Sequence, residues 1–156
     1  SSTQITDVEK EILELISTFH RPQLFVQILL EEIITNAIYH APVDGTGKEK
    51  YKKHSQVVLD DAEEVEILVG KDSEKYGVSV LDPSGRLTKE QVLFRLDRHI
   101  HGEGLLDENG RGLHMSRMYA DRLIINIRRH TATEVIFINY FDEKYKGSKP
   151  LYINEI

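Results

Sequence analysis

Leu29-Leu30-Glu31-Glu32-Ile33-Ile34-Thr35-Asn36-Ala37-Ile38-Tyr39-His40-Ala41 places three functional groups along an otherwise apolar stretch. Glu32, Asn36 and His40 recur every four residues, which on an α-helix sets them in one line, neighbours about 5–6 Å apart. Phe25, Leu29, Ile33 and Ala37, with Val26, Leu30, Ile34 and Ile38 beside them, supply a wide apolar face for burial. The spacing predicts a central helix from about Gln23 to Ala41, with a carboxylate and an amide held on its exposed edge. A carboxylate so placed can take a proton from an attacking hydroxyl, and an amide oxygen is a hard ligand suited to magnesium. Taken alone, the pattern equally describes the polar edge of an amphipathic helix.

The 156 residues fit one domain, 1–156, with enough chain for a substantial core. Hydrophobic residues at 40% and charged residues at 29% are ordinary for a globular protein. No apolar run reaches membrane-spanning length and no secretion signal opens the chain, so a cytoplasmic protein without a membrane partner is expected. With no cysteine, disulfides, thiolate nucleophiles and cysteine-based zinc sites are excluded. A net charge of −6 argues against charge-driven binding to nucleic acid but is compatible with a nucleotide that carries its own magnesium.

Around the central helix the remaining elements follow in order. Residues 1–4 carry no structural signal and are expected to be disordered. Val8, Ile12, Leu15, Ile16 and Phe19 recur at helical spacing and predict a first helix over Thr6–Phe19, which His20-Arg21-Pro22 breaks. Pro42 to Asp61 reads as a long loop with a short strand at Gln56–Leu59. Alternation predicts strands over Glu64–Val69, Lys75–Asp82, Leu123–Arg128 and Glu134–Phe141, and an edge strand within Pro150–Ile156. Thr88-Lys89-Glu90-Gln91 has the form of a capping box, opening a helix over Lys89–His99 with Val92, Leu93, Leu96 and Ile100 as its apolar stripe. His101 to Arg111, glycine-rich and without periodicity, reads as a mobile lid, before a helix near Gly112 with Leu113, Met115 and Met118 turned inward. The fold class expected is α+β: a two-layer α/β sandwich whose mixed, mostly antiparallel sheet is covered on one face by helices.

Three stretches then stand in a telling order: Glu32 with Asn36, Asp82-Pro83-Ser84-Gly85-Arg86 at a strand end, and Gly110-Arg111-Gly112-Leu113 opening a helix. Together they resemble the nucleotide-binding boxes of the GHKL ATPases, the Bergerat-type superfamily that joins gyrase, a heat-shock chaperone, histidine kinases and MutL. Thr35-Asn36-Ala37-Ile38-Tyr39-His40 and Gly110-Arg111-Gly112-Leu113-His114-Met115 are most similar to the first and last boxes of the bacterial anti-sigma-factor serine kinases. The resemblance implies ATP and Mg2+ as cofactors, and Glu32 as the general base. It makes Asn36 the magnesium ligand, Asp82 the acceptor for the adenine amino group, and Gly85 a residue against the base. Gly110, Arg111, Gly112 and Leu113 would approach the phosphates, the helix amino terminus favouring negative charge. It also implies a regulatory protein partner, an anti-sigma antagonist or sigma-like protein, and is compatible with a homodimer.

The second box departs from the family's D-x-G-x-G, since Ser84 and Arg86 stand at its two glycine positions. A side chain there can crowd a base, or the Arg86 guanidinium can stack on it or pair with phosphate. The alternative is therefore a non-catalytic regulatory interaction module with weak or no nucleotide binding. His40 is a further candidate beside Glu32, and Arg111 with Arg117 a candidate charge clamp. His99, His101 and His114 make a poor metal site, because histidines two apart diverge on a helix and no carboxylate triad accompanies them.

Overall fold

Residues of alternating polarity in the second half of the chain build the sheet. The computed structural model describes residues 2–16, 23–52, 55–100, 111–142 and 149–156. Within them five strands run β1 (Glu66–Lys71), β2 (Lys75–Asp82), β3 (Arg122–Arg128), β4 (Ala132–Tyr140) and β5 (Leu151–Glu155), in spatial order β1-β2-β4-β3-β5. All pairings are antiparallel except β3 with β5. Because side chains alternate across a strand, Tyr76, Val78, Val80 and Asp82 of β2 and Leu123, Ile125 and Ile127 of β3 all point to one buried face.

The helices α1 (Ser2–Ile16), α2 (Gln23–Thr35), α3 (Lys89–Ile100) and α4 (Arg111–Tyr119) accompany that sheet. Leu29, Leu30, Ile33 and Ile34 of α2 are buried and share one core with Val78, Ile125 and Phe137. Each such side chain contributes about 1.5–3 kcal/mol by leaving water. The molecule is thus an α+β two-layer sandwich with a mixed sheet, as expected.

The capping box forms as read: Gln91 N–H donates to Thr88 Oγ1 at 3.2 Å and Thr88 N–H to Gln91 Oε1 at 3.0 Å. Lys89 N–H donates to Glu155 Oε2 at 2.8 Å, tying the start of α3 to β5. Beneath α4, Asp121 N–H donates to Asn139 Oδ1 at 2.8 Å, Tyr140 N–H to Asp121 Oδ2 at 2.9 Å, and Asn139 Nδ2 to the Tyr76 hydroxyl at 3.2 Å.

Several expectations are corrected. The first helix already begins at Ser2, not after a disordered lead, and the described part ends at Ile16; nothing in Ser2-Thr3-Gln4 opposes helix, and Phe19 lies outside the described residues. The central helix is α-helical only to Thr35, after which Asn36–His40 form a π-helical turn closed by Ala41 N–H donating to Asn36 O at 3.1 Å. Gln56–Leu59 form no strand, and Asp61–Glu63 make a 3-10 turn capped reciprocally by Asp60 and Glu63. The first strand starts at Glu66, two residues late. Phe25 is exposed and stacks on Tyr119, ring centroids 4.6 Å apart, while Leu93 and Met118 also face solvent.

Candidate functional site

Between the helical layer and the buried face of the sheet lies a cavity of about 310 Å3. Asn36 and His40 border it from the π-helical turn, Asp82 and Thr133 from the sheet, and Arg86, Gln91 and Arg95 from the β2–α3 side. Leu113 and Ser116 of α4 and the loop residue Glu49 also line it. A π turn carries one extra residue per hydrogen-bonded turn, so His40 meets the cavity wall at a rotation that an unbroken α-helix would not give. Its Nδ1 lies 2.8 Å from Glu49 Oε1, tying the 42–61 loop to that wall. Residues 44–48 of the loop are held by Asp44, whose Oδ1 accepts from Thr46 N–H at 2.8 Å, Thr46 Oγ1 at 2.6 Å and Lys48 N–H at 3.1 Å. These bonds hold the Asp44 carboxyl below its usual pKa.

Asp82 ends β2 and is directly opposite Thr133 of β4. Burial pushes its carboxyl pKa up, while the hydrogen bonds from Ser84, with the nearby Thr133 hydroxyl and Gly85 N–H, pull it back. Ser84 N–H donates to Asp82 Oδ1 at 2.9 Å and Ser84 Oγ donates to the same oxygen. Thr133 is 3% exposed, and its Oγ1 lies near Asp82 without an aligned hydrogen-bond partner among the described residues.

The candidates from the sequence divide into those at the cavity and those beside it. Asn36, His40, Asp82, Arg86 and Leu113 line it together. Glu32 does not; its carboxylate is half-buried and packs against Gly112, in the space a side chain at position 112 would need. That sets a negative charge at the first turn of α4, where the helix end favours it. Gly85 also stands apart. It has φ +56°, and a Cβ there would strike the backbone of Arg128, Thr131 and Ala132, so it serves the β3–β4 turn. The helical backbone of Arg111 is described, whereas Gly110 and the rest of the expected lid, 101–110, lie outside the described residues, as do the side chains of His99 and His101.

Thr133, Ser116, Arg95 and Glu49 carry no site reading in the sequence, and Gln91 carries only its capping role. Thr133 had a signal, because pairing the predicted strand Lys75–Asp82 antiparallel with the one at Glu134 brings the residue before it opposite Asp82. Gln91 and Arg95 are four apart on the polar side of α3, a pattern indistinguishable from a solvated face.

Among the described residues, no group of three histidine, aspartate or glutamate side chains is placed to hold a metal ion by itself, and no helix is long and apolar enough to cross a membrane. Compared with known proteins, the chain matches no family model and no curated protein.

Proposed function

We propose that this is a Bergerat-type ATP–Mg2+-binding domain of the anti-sigma serine-kinase kind, which transfers the γ-phosphoryl group to a serine of a regulatory partner protein in the bacterial cytoplasm. The observation that carries the reading is the convergence of Asn36 and Asp82, from opposite layers, on one cavity. A volume of about 310 Å3 is at the small end of ligand sites. An acceptor such as Asp82 selects adenine, because only adenine presents an amino donor on that edge where guanine presents a carbonyl. Thr133 can donate to a ring nitrogen beside it.

The donor set also fits a magnesium nucleotide. The amide oxygen of Asn36 is a hard ligand that would complete the coordination of an ion otherwise held by phosphates and water. Arg86 and Arg95 supply positive charge at the cavity wall. The first turn of α4 would offer its N–H groups to phosphate once the Glu32 carboxylate leaves Gly112. The bound magnesium nucleotide would supply the transferable phosphoryl group, and the protein positions it and neutralises charge. Glu32, four residues before Asn36, would accept the serine hydroxyl proton once its carboxylate turns from Gly112 toward the cavity.

A second reading, a regulatory interaction module without turnover, is favoured by two observations. Ser84 already occupies one oxygen of Asp82, and Glu32 faces Gly112 outside the cavity lining. Titration calorimetry with ATP and magnesium separates the two. Wild type and Glu32→Ala are expected to bind alike, Asn36→Ala to lose magnesium-dependent affinity, and Glu32→Ala to lose phosphoryl transfer by at least about 100-fold. No heat at millimolar ATP would overturn the nucleotide reading; unchanged transfer in Glu32→Ala would remove the assigned base.

A further inference from the structure

A second cavity, of about 390 Å3, opens on the other side of the central helix, and the nucleotide reading makes no use of it. Its walls are Val8 of α1, Ile34 and Ile38 of the central helix, Val57, Val65, and Ile67 of β1. Protein interiors seldom leave so much apolar space unfilled, since unfilled space forfeits packing contacts. At its mouth stand Asp60, Asp61 and Glu64, with Val58, 89% exposed, among them. Asp60 is matched by Lys50, whose Nζ lies 2.6 Å from its Oδ2. Asp61 and Glu64 are exposed and have no ion pair or hydrogen bond from their side chains among the described residues. The mouth therefore carries net negative charge over an apolar interior.

The same cavity is bordered by an open sheet edge. β1 pairs only with β2 among the described residues, so its outer N–H and C=O groups lack strand partners. Its centre, Ile67-Leu68-Val69-Gly70, holds neither the proline nor the inward charge with which exposed edges are ordinarily blunted. Leu68, 58% exposed, adds an apolar side chain on the sheet's open face.

From these three features we propose that β1 is a docking edge for an extended segment of a partner protein in which apolar and basic residues alternate. The segment adds as a sixth strand; one or two apolar side chains enter the cavity beside Ile67, and lysine or arginine side chains meet Asp61 and Glu64. Main-chain pairing supplies affinity and the cavity supplies selection, the division of labour in strand-addition complexes. The proposal stands whether or not the other cavity takes a nucleotide.

The probe is a synthetic peptide of about seven residues alternating isoleucine and lysine, titrated into the isotopically labelled full chain and followed by amide and methyl NMR. Binding is expected to shift the β1 amides and the methyl groups of Ile34, Ile38 and Ile67 while leaving Asp82 and Thr133 unmoved. Asp61→Lys and Glu64→Lys, both surface changes that leave the fold intact, are each expected to weaken binding about two- to fivefold at low salt. Three results would overturn the proposal. The first is a serine-for-isoleucine peptide binding as tightly, which would mean charge alone. The second is a backbone N-methylated peptide binding as tightly, which would mean a pocket ligand without strand pairing. The third is the absence of β1 shifts at millimolar peptide.

Discussion

Replacing Gly85 with alanine separates a turn residue from a ligand residue. At φ +56° an alanine adopts a left-handed conformation costing about 1–2 kcal/mol. Its methyl group would meet the Arg128 carbonyl and the Thr131 and Ala132 nitrogens, all backbone, none able to swing aside. Relief requires the β3–β4 turn to move, at the expense of the 2.9 Å hydrogen bond from His130 N–H to Gly85 O, worth about 1 kcal/mol. The total is about 2–3 kcal/mol, or a fall in Tm of roughly 4–12 °C for a chain of this size. Gly45→Ala is the control, because nothing lies within 4 Å of the added Cβ and its φ is ordinary. Urea and thermal melts followed by circular dichroism measure both. If Gly85→Ala matched Gly45→Ala within about 0.5 kcal/mol, the turn contact inferred for Gly85 would be wrong.

Glu9 should make stability fall with pH. Burial, reinforced by the Glu31 charge, raises its carboxyl pKa to about 7, so the folded chain holds a proton that the unfolded chain releases near pH 4.5. The stability of the protonated form is fully present below pH 4.5 and is lost as pH rises through 7; Glu9→Gln should therefore exceed wild type by about 1–2 kcal/mol at pH 8 and match it at pH 4.5, water screening part of the effect. Equal pH slopes for the two proteins would show that Glu9 is not the group responsible. Asn139→Ala should cost about 2–4 kcal/mol in denaturant melts, because it leaves the Asp121 N–H without its acceptor and the Tyr76 hydroxyl without its donor in a buried network. A loss under about 1 kcal/mol would mean that water replaces the amide.

What could be read from the chain follows from how local each signal is. Lys75–Asp82 was legible to the residue because strict alternation over eight positions leaves one register that buries Tyr76, Val78 and Val80. The α3 start was legible because Thr88 and Gln91 satisfy each other within one turn. By contrast, the π turn at Asn36–His40 has no local mark, since its residues suit an α-helix equally well. Phe25 was misread because a hydrophobic residue at helical spacing does not disclose that its neighbour Tyr119 leaves one ring face in water. At the site, Asn36, Asp82 and Arg86 were visible as motif positions and Thr133 through its register opposite Asp82, whereas Arg95 comes to the cavity through tertiary packing.

The π turn also divides the central helix into two differently indexed halves. The half ending at Thr35 is held by α1 and α4, and the half from Asn36 rests on β2. Deleting Thr35 while the turn beyond it stays π-helical would rotate Glu32 by about 100° relative to Asn36 and the strands below. Such a deletion could preserve every hydrophobic residue of the helix while putting the acid and the amide out of phase. Insertions and deletions at this point therefore act as a dial on site geometry, one that substitutions cannot turn.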